Sequence, residues 1–440
     1  MTPVPFVRRT AQVRRMLRVE LRRGTAPVAA LAMFGAGVWM LAVHPDHWAG
    51  RWAGLADYFR VSMLILCALM VAAGAWQAGR ERRRDLGELI TSTPRPGWHP
   101  VVLAWLAVAL AGTTGVLLAF SGAAAFVAPV ATYAGGGWWW MLAVGVVALG
   151  TATAIGTLVG RLSALRVAAP IAGLATYLGL GILLYGDTRA AAWLSPVSPG
   201  WRMHQSIPDW VTAGQAGWLL ALTVLSLAVA ARRWWMAALA GGVAIAVAVP
   251  VATGPGPYRL PADPGAVQLV CTDTGPPVCL SRINAFLLDD VTPVVRPVLI
   301  RLTEATGRPW RAVDHATAPA GTPDSTDGDT VWLYLDSQST VRGGLARPDW
   351  LRADFHTVTR PRCPVEQRRE PDHRVYQLSS VAAAWLLDAS HSTDPPAPVD
   401  PALERLRALP LAAQHAWFSA YLDAAARCDV PALIRLGQPQ

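Results

Sequence analysis

The stretch Gly79–Pro100, GRERRRDLGELITSTPRPGWHP, lies between two long apolar runs. It carries Arg80, Arg82, Arg83 and Arg84, then Asp85 and Glu88, and it stops at Thr93-Pro94. Charge of this density is not accommodated in hydrocarbon, so the stretch predicts a water-exposed hinge between two membrane spans. Its arginine excess predicts that this water is cytoplasmic. With one hinge placed, the direction of every other span follows by alternation.

The rest of the composition agrees with a membrane chain. Of 440 residues only 15% are charged, and the mean hydropathy is +0.33. The apolar residues come in blocks, unlike those of an ordinary soluble domain. The net charge of +9 is unevenly split: 20 Arg against 8 Asp/Glu through Thr253, and 18 Arg against 21 Asp/Glu after it. The basic excess therefore belongs to the apolar half and flanks its spans, which reads as topology rather than nucleic-acid binding. All 38 basic residues are Arg. A Walker A loop needs a Lys to reach nucleotide phosphates, so this chain does not contain one. No ATPase chemistry is expected in it.

Seven apolar runs are delimited as Ala26–Val43, Val61–Ala78, Val101–Val127, Trp138–Gly160, Val167–Tyr185, Ala213–Ala230 and Trp235–Ala252. Most approach the ~20 residues that cross a bilayer. None of the runs contains Asp, Glu, Arg or His. Tryptophans gather at the ends, as at Trp138–Trp140 and Trp234–Trp235, where interfacial rings belong.

Residues 1–25 carry seven arginines. Val13, Met16, Leu17 and Leu21 recur at helical spacing, with Arg14, Arg15, Arg18 and Arg22 on the other side. This predicts a basic amphipathic helix at the inner membrane surface rather than a cleaved signal peptide, because no small-residue cleavage site follows the apolar run. Arg80–Arg84 with Arg95, Arg161 with Arg166, and Arg232 with Arg233 fall on the same side. Arg51, Arg60, Arg189 and Arg202 fall on the other. An odd number of spans then puts everything after Thr253 outside.

Cysteine usage points the same way. Cys67 is alone in the second run, while Cys271, Cys279, Cys363 and Cys428 all follow the last one. Four cysteines in an oxidising compartment read as two disulfides, with three possible pairings. The preferred pairing is Cys271–Cys279 with Cys363–Cys428, since the first closes a short Gly-Pro-Pro loop. The spacing fits no zinc ribbon.

The Pro- and Gly-rich segment 253–265 marks a boundary. Beyond it, Val267–Cys271 and Val331–Asp336 read as strands, while Ser281–Ala305, Val381–Ala389 and Leu411–Arg427 read as helices. Pro293 and Pro297 are expected to bend or break the first of these helices. Residues 316–330 read as a mobile loop. No His-Glu-x-x-His helix and no Gly-x-Ser-x-Gly elbow is present. Asp314-His315 and His356 are read as solvated side chains, and Asp289-Asp290 as a helix-surface pair.

Apolar runs without ionisable residues argue against proton or sodium coupling. Gly156-x-x-x-Gly160 is read as a packing face inside the protomer, with a dimer seam as the weaker option. What remains is a passive or externally driven membrane unit. Residues 80–90 predict a short helix in which Asp85 and Glu88 share a face, ended by Pro94. On physical grounds alone this knob is equally a docking point or a solvated loop that sets topology.

The segment 82–95, RRRDLGELITSTPR, resembles the cytoplasmic loop of actinobacterial ABC-2 type permeases, which often read as a charged run, then Glu-Leu-Leu, a small residue, then Thr-Pro. The basic N-terminal helix resembles that family's connecting helix. Six spans with a longer outer segment between the fifth and sixth also match, over roughly residues 7–233. The resemblance implies a permease dimer, homo- or heteromeric, docking a separate ATPase through residues 80–90, with Arg82, Arg83, Arg84, Asp85, Glu88 and Thr93 at the contact. ATP and Mg would belong to that partner, and no cofactor or metal to this chain.

The expected fold is mainly α: a cytoplasmic helix (1–25), a six-span ABC-2-like core (26–233), a seventh span (234–253) and an extracytoplasmic α+β domain (254–440). Partners are then the ATPase, a second permease and membrane lipids, and not nucleic acid. The location is the plasma membrane, with the N-terminus cytoplasmic. The tail after the seventh span has no assigned role, and the cargo is open. The alternative is a membrane-anchored envelope sensor or binding protein whose spans only hold the outer domain.

Overall fold

The structure, a computed structural model, describes residues 15–22, 24–83, 98–163, 165–185, 192–197, 202–256, 260–318, 328–335, 339–341, 343–363, 373–388 and 401–438. It divides into two compact units, Met1–Asp263 and Pro264–Gln440.

Among the described residues of the first unit, a short helix α1 (15–22) precedes seven helices long and apolar enough to cross a membrane. These are α2 (Ala26–Val43), α3 (Trp52–Ala78), α4 (Trp98–Val127), α5 (Trp138–Leu162), α6 (Ala168–Tyr185), α7 (Asp209–Ala230) and α8 (Trp234–Ala252). A single helical turn, Arg80–Arg83, follows α3. The seven helices fit a polytopic helical membrane protein, and each covers one of the apolar runs.

α3 sits at the centre, packed on α4, α5 and α6. Phe59, Met63, Leu66 and Met70 have no exposed surface, and Phe59 meets Phe120 of α4 edge to face at 4.7 Å. The α3–α5 seam is closed at the level of the backbone. A Cβ on Gly156 or Gly160 would overlap the carbonyl oxygen of Val71 or Ala75, and one on Gly74 would meet Thr153 O at 2.5 Å. The Gly156-x-x-x-Gly160 pair is thus a contact inside this chain, as small residues at close helix crossings are.

Hydrogen bonds fix which helix ends lie together. Thr25, just before α2, donates to Gln77 near the end of α3 (2.7 Å). Arg82 donates to Leu162 O at the end of α5 (3.1 Å). At the other pole the Tyr58 hydroxyl donates to Met40 O at 2.7 Å, and Trp193 Nε1 donates to Pro255 O, beyond α8, at 2.7 Å. The chain therefore leaves α8 at the pole opposite Arg80–Arg83. Trp76, Trp98, Trp234 and Trp235 are exposed at one pole, and Trp39, Trp139, Trp140 and Trp210 at the other. Two such rings are what a bilayer with two interfaces selects.

The second helix departs from expectation. It starts at Trp52, not Val61, and so takes in Asp57 and Arg60. At 1.5 Å per residue α3 is about 40 Å long, more than the ~30 Å hydrocarbon core, so its first turns reach the interface where such residues are tolerated.

The second unit is α+β. Strands β1 (Leu269–Cys271), β2 (Val278–Ser281), β3 (Arg311–Asp314) and β4 (Thr330–Leu333) form one sheet in that order. β1 and β2 are an antiparallel hairpin, and β2–β3 and β3–β4 are parallel. α9 (Leu288–Thr306) crosses from β2 to β3 and packs Val291, Val295, Val298 and Leu302 against Leu280, Ala312, Val331 and Leu333. α10 (His373–Leu386), α11 (Leu411–Ala426) and α12 (Val430–Leu436) complete that core.

Three local expectations are corrected. The helix expected from Ser281 starts at Leu288, because Val278–Ser281 is a strand and Ala285–Leu287 a 3₁₀ turn. Pro293 and Pro297 do not break it. Both lie on its exposed face, where water replaces the missing backbone donors. β4 is buried on both faces rather than alternating, since Trp332 packs with Cys279 and Val313 behind the sheet.

The disulfides are Cys271–Cys279, across directly paired positions of the β1–β2 hairpin, and Cys363–Cys428. This is the preferred pairing. Cys428 takes the left-handed position (φ 53°) after α11, with Asp429 N bonded to Ala424 O at 2.9 Å and Cys428 N to Ala425 O at 3.2 Å. That is a Schellman closure with cysteine where glycine is usual. Two disulfides in this unit fit an oxidising, extracytoplasmic location.

Candidate functional site

The site indicated by the sequence is the pole that carries Arg80–Arg83. There α1 lies with Arg15, Arg18 and Arg22 exposed and Met16, Leu17 and Leu21 half-buried, the amphipathic division read from its spacing. Glu20 is the exception on its inner side. One carboxylate oxygen accepts from Arg80 (3.0 Å), the other from the buried amide of Gln77 (2.8 Å). The Gln77 carbonyl accepts in turn from the Thr25 hydroxyl at 2.7 Å. Every polar group of Gln77 is thereby used. The network joins α1 to the end of α3 by charge-assisted bonds, which are stronger than neutral ones, and ties in the start of α2 by the neutral Thr25–Gln77 bond.

Arg83 folds back along α3. Its guanidinium donates to Trp76 O (2.6 Å) and lies over the Trp76 ring, 4.5 Å from the centroid. Arg82 reaches α5 at Leu162 O. The structure thus brings Arg82 and Arg83 onto the ends of α5 and α3. Arg84, Asp85, Glu88 and Thr93 lie outside the described residues.

A second polar cluster lies at the opposite pole, where the sequence reading placed no site. Residues 192–197, between α6 and α7, run inside the bundle, with Trp193 and Val197 each 1% exposed. Their carbonyls are held from two helices. Arg60 donates to Ser195 O (3.3 Å) and Pro196 O (3.2 Å), and Gln215 of α7 donates to Ser195 O (2.6 Å). Trp218 Nε1 donates to Leu194 O at 3.2 Å. The Gln215 carbonyl oxygen is buried with no partner among the described residues. Carbonyls outside any helix that are buried inside the bundle need such donors. The signal available in the sequence was Gln215, a strongly polar residue at the third position of the sixth apolar run.

In the second unit Asp314, read from sequence as solvated, is instead buried at 1% exposure. Buried Asp314 accepts from Ser281 N (3.2 Å), the Ser281 hydroxyl, Asn284 Nδ2 (2.7 Å) and Ala316 N (2.9 Å). A carboxylate so supplied anchors the end of β3. His315 stacks on Tyr334 at 4.3 Å. Asp290 accepts from Leu345 N at 3.0 Å. His356 is held below the usual imidazole range by desolvation and then by Arg360. Burial pushes the Tyr421 phenol up, and its hydroxyl donates to Thr359 O. A cleft of about 370 Å³ opens between Tyr334, Leu345, Arg347, Trp350 and Asp354. Its arginine lies over the Trp350 ring at 4.0 Å.

Among the described residues, His44, Asp46 and His47 are the one group of three metal-capable side chains with donor atoms within 4.8 Å of one another. Compared with protein-family models, curated proteins and solved structures, the chain matches none.

Proposed function

We propose that this chain is the membrane-spanning subunit of an ATP-driven exporter of the ABC-2 type, with a separate ATPase docking on residues 80–90. The observation that carries the reading is the Glu20–Gln77–Arg80 network. A docking point transmits force only if it is rigidly tied to the helices it must move. Here the basic surface helix, the first span and the second span share one bonded junction at the root of the charged hinge. Arg82 extends that junction to α5, against which α3 is closed by glycine contact. ATP and Mg are assigned to the partner, since no Lys is present for a phosphate loop. The spans with α1 form the permease core, the seventh span adds to it, and the disulfide-bonded unit faces the outside of the plasma membrane.

The test is purification of the full-length protein from its own membranes, with identification of the proteins that come with it. An ATPase is expected to co-purify, and charge reversal at both Asp85→Lys and Glu88→Lys is expected to release it while the permease remains folded. Recovery without an ATPase would remove the proposal. A second reading is favoured by the independent core of the outer unit and its aromatic cleft. In it the spans only anchor an envelope sensor or binding domain. That reading requires the whole activity to survive the Asp85 and Glu88 reversals.

A further inference from the structure

The turn joining α2 to α3 has the sequence His44-Pro45-Asp46-His47. Pro45–His47 is a single 3₁₀ turn. In 3₁₀ geometry residues three apart eclipse one another, so His44 and His47 come to the same side. Their ring centroids are 5.4 Å apart, edge to face. The Asp46 carboxylate lies 3.6 Å from His47 Nε2. One donor atom from each of the three residues falls within 4.8 Å of the others.

The turn is braced on both sides. His47 N donates to His44 O (3.3 Å) and Ala49 N to Pro45 O (3.1 Å). Trp48 Nε1 reaches back to Leu41 O at 3.0 Å, and the Tyr58 hydroxyl to Met40 O at 2.7 Å. Pro45 fixes one further backbone angle. The His47 ring rests 5.8 Å from that of Tyr58. The three donors are therefore held close before any ligand arrives.

We propose that this turn is a binding site for a divalent transition-metal ion of the zinc class, with His44, Asp46 and His47 as its protein ligands. Two imidazoles and one carboxylate suit zinc, copper or nickel, whereas calcium and magnesium want oxygen donors alone. Ligand bonds of about 2.0–2.2 Å put donors roughly 3.4 Å apart around a tetrahedral ion, so side-chain rotation alone closes the present spacing. Three protein ligands leave one position for water or an outside donor. The ion would staple the 3₁₀ turn that directly follows α2, at the pole opposite the charged hinge. The site stands independently of the exporter reading.

The test uses full-length, untagged protein in detergent, stripped with a chelator and desalted. Zinc is added, free metal is removed, and bound metal is counted. Cobalt absorption reports the geometry. About one zinc per chain is expected, with a tetrahedral cobalt band. Because the chain has nine histidines, the variants decide where the ion sits. His44→Ala and His47→Ala are expected to lose the ion, and Asp46→Asn to weaken it roughly tenfold. Melting without metal should be the same in His44→Ala as in the parent, while the zinc-dependent rise in Tm disappears. Zinc binding undiminished in the His44→Ala/His47→Ala double variant would overturn the proposal, as would a parent that binds no zinc.

Discussion

Arg60 holds two carbonyls of the 192–197 segment from within α3, and Gln215 holds one of the same carbonyls from α7. Its guanidinium fork makes this possible, because two donors leave one plane at a fixed separation. Replacing it by Met removes both bonds: Pro196 O loses its donor, while Ser195 O keeps only that from Gln215. The expected cost is about 1–3 kcal/mol, read as a lower Tm of the detergent-solubilised protein for Arg60→Met. Arg60→Lys should fall between, having the charge without the fork. An unchanged Tm in Arg60→Met would show that the segment holds itself. This cluster was not legible from hydropathy. The apolar run begins at Val61, so Arg60 was assigned to an aqueous connection, yet the helix runs on upstream through Ala56, Asp57, Tyr58 and Phe59. A run of apolar letters marks where lipid must be faced, not where a helix begins.

The α3–α5 seam is the element on which the bundle is closed. Gly74, Gly156 and Gly160 let two backbones meet, and any side chain at these positions would have to push the helices apart. Gly156→Leu is therefore expected to cost well over the ~1–3 kcal/mol typical of core overpacking, seen as loss of monodisperse protein. Gly179 of α6 has open space around it and is the control: Gly179→Leu should be tolerated. Equal behaviour of the two variants would refute the seam. Here the sequence was informative, because paired small residues one turn apart have few other uses in an apolar helix. The elements of the second unit were less legible. Helix α9 was expected to start at Ser281 and to yield at Pro293 and Pro297. Long-range strand pairing claimed Ser281, and the prolines face water. Tertiary partners, which no local pattern contains, decided both.

For the molecule as a whole, alternation does most of the work. The bonds Thr25–Gln77, Arg82–Leu162, Tyr58–Met40 and Trp193–Pro255 put the charged hinge at one pole and the exit toward the second unit at the other. The two disulfides fit an extracytoplasmic location for the second unit, and the split of arginine along the chain is the expectation that would place the hinge on the other side. The seven long apolar helices among the described residues were readable from sequence because runs of ~20 apolar residues suit a membrane-crossing helix. The Glu20–Gln77–Arg80 junction was not, since it joins positions far apart in the chain. The measurement that bears most directly on the account is labelling of a cysteine placed at Leu86, in the full-length protein, with a membrane-impermeant maleimide. Intact cells should leave Leu86→Cys unmodified, and permeabilised cells should modify it fully. Modification in intact cells would put the hinge outside and contradict the assignment of a cytoplasmic ATPase to it.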